Sequence, residues 1–164
     1  MCRTTLLAFA IAAVAIVSEA APQRSPVDQQ ISQLAELLSD GIAESPPDLR
    51  YVAYGKVFGA ARNDAVAFFS VEGFHGGNYH AEYVAFFQAL EPMNGKVAKP
   101  FRLIAVAQIG GRGQRSFDWK SAKLSPGTVS VIGKKWVTAD AQCCPSMSIS
   151  ATFRVRGSNV LESR

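Results

Sequence analysis

Both histidines of the chain lie in one short stretch, residues 72–82, together with three glycines and two carboxylates. His80 and Glu82 are two residues apart, so on a β-strand their side chains would share one face. A histidine beside a carboxylate can serve as an acid–base pair, and two histidines with a glutamate can bind zinc. The spacing, however, matches neither the His-Glu-x-x-His motif nor the His-x-Glu and Pro-Cys-x-x-Cys motifs of zinc enzymes.

We therefore interpret residues 72–82 as a glycine-rich loop between two strands, either structural or in contact with a partner, since loops often carry binding residues. We predict no catalytic residue, no metal and no cofactor. The alternative is a small enzyme that uses His75, His80 and Glu82, with or without a metal. The candidate binding residues are His75, Gly76, Gly77, Asn78, Tyr79, His80 and Glu82.

Cys143 and Cys144 are adjacent, and Cys2 is the third cysteine of the chain. In an exported protein two free thiols would not persist, which leaves a vicinal disulfide or pairing with another molecule. Neighbouring Cα atoms are about 3.8 Å apart, below the usual spacing across a disulfide, so a vicinal bond would form a rigid turn. We favour that bond as a structural feature, with a redox or Cu(I) role as the alternative.

The beginning of the chain resembles a secretory signal peptide. Arg3 supplies a positive charge, and residues 6–17 form an uncharged apolar stretch of 12 residues. A membrane span needs about 20 such residues. We expect cleavage between Ala20 and Ala21, which makes residues 1–20 a signal peptide and residues 21–164 a single β-rich domain, periplasmic or secreted, with no transmembrane span left.

The composition, 48% hydrophobic and 18% charged over 164 residues, fits one small globular domain and excludes collagen, a coiled coil or a disordered chain. Residues 21–94 carry four bases and nine acids, whereas residues 95–164 carry twelve bases and three acids. We expect the two halves to fold together with their charges intermixed; an anionic partner is the alternative. An exported protein without a recognisable reading motif is a poor candidate for binding nucleic acid.

The pattern of apolar residues predicts one helix followed by strands. Ser25 and Pro26 are typical of a helix start, and an apolar stripe follows at Ile31, Leu34, Leu37, Leu38 and Ile42. Short strands separated by Gly, Pro and Asn then predict an α+β fold, with one N-terminal helix packed on a predominantly antiparallel β-meander of about seven strands. The predicted strands are residues 51–57, 65–71, 82–90, 101–109, 116–124, 129–137 and 148–155.

The last predicted strand has the clearest alternation of apolar and polar residues. Its inward face is predicted to hold Met147, Ile149, Ala151, Phe153 and Val155, whereas serine, threonine and arginine occupy the positions between them. This is typical of a half-buried antiparallel strand with a basic outer face. We interpret the aromatic residues Phe86, Phe87, Phe117 and Trp119 as part of the core.

Two segments together resemble a group of small bacterial exported proteins of unknown function. One is Asn63-Asp64-Ala65-Val66-Ala67-Phe68, and the other is Asp140-Ala141-Gln142-Cys143-Cys144-Pro145-Ser146. Many members of that group open the first strand with an acidic, calcium-like loop. In this chain the corresponding residues 56–65 keep Asp64 alone, and one aspartate cannot supply six to eight oxygen ligands. The resemblance therefore implies an exported domain, and the loss of the acidic ligands argues against calcium binding.

A weaker resemblance connects the loop with bacterial periplasmic lysozyme inhibitors. Those proteins present a Ser-Gly-x-x-Tyr loop from a β-rich domain into the cleft of the enzyme, and Gly76-Gly77-Asn78-Tyr79-His80 is similar in placement. Glycine replaces the serine and His80 replaces the tyrosine. The resemblance implies that the loop occupies an acidic cleft, where histidine and backbone N–H groups bind carboxylates.

These observations favour an exported, non-enzymatic binding protein of the bacterial envelope, such as an inhibitor or immunity-type partner of a wall hydrolase. Its partner would be an envelope protein or an anionic wall component. The alternatives are the small envelope enzyme described above and a structural component of the envelope.

Overall fold

The computed structural model describes residues 25–39, 41–59, 63–74, 79–90, 100–141 and 144–163. Within these ranges it contains one α-helix, one short 3₁₀ helix and eight strands. They are α1 (Pro26–Leu38), the 3₁₀ helix (Pro47–Leu49), β1 (Arg50–Gly55), β2 (Asp64–Phe74), β3 (Tyr79–Ala89), β4 (Phe101–Gly111), β5 (Arg115–Ser125), β6 (Thr128–Lys135), β7 (Met147–Arg156) and β8 (Asn159–Ser163).

The strands form one antiparallel sheet in the order β1 to β8, so each strand pairs with its neighbours in sequence. The α+β class and the meander are as predicted, but the strand count of about seven was too low. The missed strand is β8, which pairs with β7 from Val155↔Val160 to Thr152↔Ser163. It is short, largely exposed and without an alternating pattern, so only its hydrogen bonding to β7 identifies it.

The helix begins where its capping residue predicts. Ser25 is the N-cap, its hydroxyl oxygen accepts a hydrogen bond from Asp28 N at 3.1 Å, and Pro26 occupies the first helical position. The predicted apolar stripe is only partly right, because Leu37 is 76% exposed and Ile42 is 59% exposed. The buried face is instead Val27, Ile31, Leu34 and Ala35, which lie at helical spacing. No helix in the described parts of the chain is long and apolar enough to cross a membrane.

Strands β2 and β3 are buried on both faces, and each face belongs to a different core. Odd-numbered residues of both strands, such as Phe69 and Phe87, cluster with the buried face of α1. Even-numbered residues, such as Phe68 and Phe86, cluster with residues of β5, β6 and β7. Because successive side chains of a strand point to opposite faces, β2 and β3 form the middle layer between the helix and the second half of the sheet.

The meander folds back on itself at the turn between β4 and β5. These strands share a single pair, Gly111↔Arg115, and Gly111 has a φ of 148°, which favours glycine. Beyond the other end of β5, Gly127 N donates to Val57 O at 2.8 Å, just after β1. Strand β5 therefore starts beside β4 and ends near β1, so it crosses over the first four strands, as in an orthogonal sheet packing.

The acidic and basic halves of the sequence contribute different strands to the sheet. The helix and strands β1 to β3 come from the acidic half of the sequence, whereas β5 to β8 come from the basic half. Strand β4 also comes from the basic half but pairs with β3, so both halves contribute to the layer that contains β2 and β3. Among the strands of the basic half, Arg115 of β5 makes a bidentate ion pair with Glu162 of β8, with both N···O distances at 2.7 Å.

Asp64 holds the segment that resembles the calcium-like loop. It is 3% exposed, and its Oδ2 accepts hydrogen bonds from Val57 N at 3.0 Å and Phe58 N at 2.6 Å. Its Oδ1 accepts from Ala89 N at 3.1 Å. A single carboxylate thus satisfies three backbone N–H groups, from the segment after β1 and from the end of β3.

Candidate functional site

A polar cleft lies where β2, β3 and β5 meet the segment that leads into β1. Its volume is about 490 Å³, within the range of small-molecule sites. We call it the polar cleft and define it by six residues of its lining. They are Ser70, Glu72, His80, Glu82, Ser116 and Trp119.

The register of β2 and β3 brings four of these residues to one face. Ser70 lies opposite Glu82, and Glu72 lies opposite His80. All four occupy even-numbered positions and continue the face that carries Phe68 farther along β2. The face of β2 and β3 that packs on β5–β7 is therefore apolar at Phe68 and polar at the end of the strands that carries Glu72 and His80. His80 and Glu82 share this face, as their spacing predicted.

Glu82 joins the two layers of strands. It is 4% exposed, its Oε1 accepts from the Ser116 hydroxyl at 2.6 Å, and its Oε2 accepts from Phe117 N at 3.1 Å. Both carboxylate oxygens are thus engaged by β5, and hydrogen bonds to a charged acceptor are among the stronger ones. The geometry gives Glu82 a structural role across the sheets.

Two residues that line the cleft each have a buried polar side-chain atom without a hydrogen-bond partner among the described residues. These atoms are the hydroxyl of Ser70 and the indole N–H of Trp119. Ser70 as a whole is only 4% exposed. Buried polar groups in native proteins are nearly always hydrogen-bonded, so two of them in one cleft mark it as a candidate ligand site.

The charges around the cleft are predominantly acidic. Glu72, Glu82, Asp48 and Asp118 line it, against the cations Arg50 and Lys120. The Arg50 guanidinium donates to backbone oxygens of Asp28 and Ser45 on the helix side of the sheet. The local potential therefore favours a neutral or cationic ligand over an anion.

A second recess, of about 390 Å³, lies beside the predicted binding loop and shares His80 with the polar cleft. At its edge Tyr79 is 57% exposed, and the Arg112 guanidinium carbon lies 5.0 Å from the centre of its ring. Arg112 N also donates to His80 O at 3.2 Å. These contacts place a tyrosine and an arginine side by side on the surface, in a cation–π arrangement.

The loop is shorter than we predicted. Strand β2 extends to Phe74 and β3 begins at Tyr79, so residues 72–74 and 79–82 belong to strands. The pair Phe74↔Tyr79 extends the ladder past a bulge at Gly73, whose φ is 96°. Aromatic residues such as Phe74 and Tyr79 favour β-strands, and here this preference outweighs the tendency of Gly73 to end a strand.

Four predicted binding residues lie outside the described residues: His75, Gly76, Gly77 and Asn78. The described part of the chain contains no group of three or more His, Cys, Asp or Glu residues that could hold a metal ion. Because His75 is outside that part, a site built on both histidines stays an untested alternative.

The cysteine segment is anchored by Asp140. Its Oδ2 accepts hydrogen bonds from Val137 N at 2.9 Å and from Ser146 N at 3.0 Å. Cys144 is disulfide-bonded, and neither of the chain's other cysteines is among the described residues. The pairing of Cys144 with Cys143 therefore stays a prediction.

We expect the Asp140 anchor to open in acid. Hydrogen bonding by the Ser146 side chain, and then by Val137 N, lowers the pKa of Asp140 below its usual 3.8. Its contribution to stability is therefore complete above pH 3.8 and is lost as pH falls through the lowered folded-state pKa. In an NMR titration, the amide signals of Val137 and Ser146 should shift with a midpoint below 3.8.

The Ser146→Ala variant should move that midpoint upward, and Asp140→Asn should remove the transition. A midpoint at or above the usual aspartate value in the unmodified protein would contradict the anchor.

No family model, no curated protein and no solved structure matches this chain. The resemblances noted from the sequence are therefore neither confirmed nor contradicted, and the site must be argued from its own geometry.

Sequence reasoning found His80 and Glu82 but missed Ser70, Ser116 and Trp119. Ser70 sits within an apolar strand, where a lone serine has no distinctive spacing. Trp119 had been assigned to the core, and it does pack partly against the core shared by β2, β3 and β5–β7. Only the crossing of β5 over β2 and β3 brings these residues together at the cleft.

Proposed function

We propose that this protein is an exported, non-enzymatic binding protein of the bacterial envelope that inhibits a wall hydrolase. It binds through the end of the β2–β3 hairpin and the adjoining turn between β4 and β5. The observation that carries the proposal is the exposed pair Tyr79 and Arg112 at this end of the molecule.

Tyrosine and arginine, together with tryptophan, are enriched among the side chains that dominate protein interfaces. Tyr79 is held by its strand pairing with Phe74 and by the guanidinium of Arg112. Such a side chain loses little conformational freedom on binding, which favours affinity. The positive charge of Arg112 beside the ring suits a hydrolase cleft whose catalytic residues are carboxylates.

The enzyme alternative has less support from the geometry. An acid–base pair of His80 and Glu82 requires a carboxylate with an oxygen free to bind the imidazole or the substrate. Both oxygens of Glu82 accept hydrogen bonds from β5, and the side chain is buried. His80 remains at the cleft, but its predicted partner serves the packing of the sheets.

The inhibition test uses wall-hydrolase activity in an envelope extract, measured as clearing of a wall suspension. We expect the protein to slow clearing, and Tyr79→Ala or Arg112→Ala to reduce its potency at least tenfold. Each variant removes a side chain of the exposed pair and leaves the core intact. Tyr54→Ala is the matched control, because Tyr54 is also about half exposed, at 50%, but lies on β1.

Equal potency of all variants would contradict the role of the hairpin end. If the unmodified protein does not slow the clearing of the wall suspension, the proposed function itself is contradicted. A purely structural envelope component would also tolerate both substitutions without effect.

The exposed bases of β6 and β7 favour a second candidate partner, an anionic wall polymer. Lys134 and Arg154 occupy even-numbered positions on the outer face, across from Ser148 and Thr128. A partner held by these charges would dissociate as salt rises, because solvent-exposed charges are screened. Cosedimentation with purified wall at low and high salt tests this candidate, and binding that is insensitive to salt would contradict it.

A further inference from the structure

We propose that the polar cleft binds a neutral saccharide unit. This inference rests on a different part of the molecule from the exposed pair Tyr79 and Arg112, and it does not require that the protein inhibit a hydrolase. Its basis is the set of hydrogen-bonding groups that line the cleft and the sign of their charge.

The unpartnered atoms of the cleft define what a ligand must offer. The indole N–H of Trp119 can only donate, so it needs an acceptor on the ligand. The Ser70 hydroxyl can donate or accept, and the carboxylate of Glu72 can only accept. A sugar hydroxyl both donates and accepts, so one class of ligand satisfies all three groups.

The charge of the lining excludes other classes. Four carboxylates and two cations line the cleft, and Arg50 is engaged by backbone oxygens on the other side of its strand. An anionic ligand would meet a net negative surface. An ammonium group offers donors alone and would leave the Trp119 N–H without an acceptor, whereas a neutral hydroxyl-bearing ligand meets neither difficulty.

The apolar part of the lining suits a sugar ring. Tyr51, Phe117 and Trp119 border the cleft beside its polar groups. Binding sites for small molecules combine such aromatic walls with a few convergent polar groups. The volume of about 490 Å³ is enough for a saccharide of one or two rings and is open to solvent, so a unit within a longer glycan could also enter.

Isothermal titration calorimetry with four probes tests the assignment. N,N′-diacetylchitobiose and cellobiose represent neutral saccharides, spermidine represents cations, and inorganic phosphate represents anions. We expect at least one disaccharide to bind with a Kd of about 1 mM or tighter, and spermidine and phosphate to bind more weakly. In the Trp136→Phe variant, where Trp119 is the remaining indole of the chain's two, the disaccharide should also change tryptophan fluorescence.

Variants of the lining locate the binding. Ser70→Ala removes the unpartnered hydroxyl, and Trp119→Phe keeps a ring but removes the N–H, so each should weaken disaccharide binding at least tenfold. Glu72→Gln changes an exposed side chain that the fold does not need, and it should weaken binding several-fold. Ser130→Ala is the matched control, because the Ser130 hydroxyl is already paired with Thr152 Oγ1 at 2.8 Å on the other side of β6.

The proposal is overturned if neither disaccharide binds, if spermidine or phosphate binds more tightly, or if all three cleft variants bind like the control. Thermal melting of each variant separates loss of binding from loss of fold, and Glu72→Gln remains informative if the buried variants unfold. Tyr79 and Arg112 do not line the polar cleft. A protein that binds no saccharide could therefore still inhibit a wall hydrolase, and the two proposals can fail separately.

Discussion

Replacing Asp64 with alanine is expected to lower the free energy of unfolding by about 3 kcal/mol, because three backbone N–H groups, one buried and two partly buried, lose their acceptor. Those groups belong to Val57, Phe58 and Ala89. Since Asp64 is 3% exposed, water cannot readily replace the carboxylate. Urea denaturation measures the change, and the melting temperature should fall by roughly 10 °C.

Asp64→Asn separates the hydrogen bonds from the shape of the side chain. Asparagine has one acceptor oxygen where aspartate has two, and its NH₂ group would face an N–H donor. We therefore expect Asn to be destabilising as well, though less so than Ala. Asp48→Ala, at an exposed position, should change stability by less than about 0.5 kcal/mol. An Asp64→Ala variant as stable as the Asp48 control would show that this carboxylate does not hold the β1 and β3 segments.

Replacing Gly133 with alanine is expected to cost about 3 kcal/mol, at the upper end of the usual cost of overpacking. A Cβ at this position would overlap Ser116 O and would lie 2.7 Å from Phe117 Cδ1. Gly133 pairs directly with Phe117 across β5 and β6, so the ring and backbone of β5 would have to move. Urea denaturation of the Gly133→Ala variant measures this cost.

The same substitution should disturb the polar cleft. Ser116 and Phe117 are the residues that donate hydrogen bonds to Glu82. A shift of β5 opposite Gly133 should therefore move Trp119 as well, and tryptophan fluorescence in the Trp136→Phe background should report it. Gly59→Ala is the control, because a Cβ on Gly59 would have no atom within 4 Å. Equal stability of the two alanine variants would contradict the close approach of β5 and β6.

Strand β7 shows how well the alternation of apolar and polar residues predicts which side chains are buried. Of the five residues assigned to its inward face, Ala151 and Phe153 are buried at 3% and 2% exposure, and Ile149 and Val155 pack against the same core. Met147 is 46% exposed, because it lies at the end of the strand beyond that core. Alternation predicts the face of a residue, but whether that face is covered depends on the neighbouring strands.

Helix α1 shows the same limit for the helical spacing of apolar residues. Its start was predicted correctly from Ser25 and Pro26, because capping is a local interaction within four residues. Its buried face was assigned partly wrongly, since Leu37 and Ile42 are exposed while Val27 and Ala35 are buried. A sequence with leucines on two sides leaves the choice of face to the sheet against which the helix packs.

The amino-acid sequence by itself determined the α+β class, seven of the eight strands, the helix start and the common face of His80 and Glu82. These depend on local capping and on the alternation of side chains, which operate over a few residues. The tertiary structure alone decided that β5 crosses the first four strands, that Glu82 is engaged by Ser116 and Phe117, and that Ser70 and Trp119 meet in a cleft. Ser70 and Trp119 are separated by two strands, and only packing between layers determines such contacts. Residues 72–74 and 79–82, which the sequence predicted as part of a loop, thus belong to strands, and His80 and Glu82 line the polar cleft.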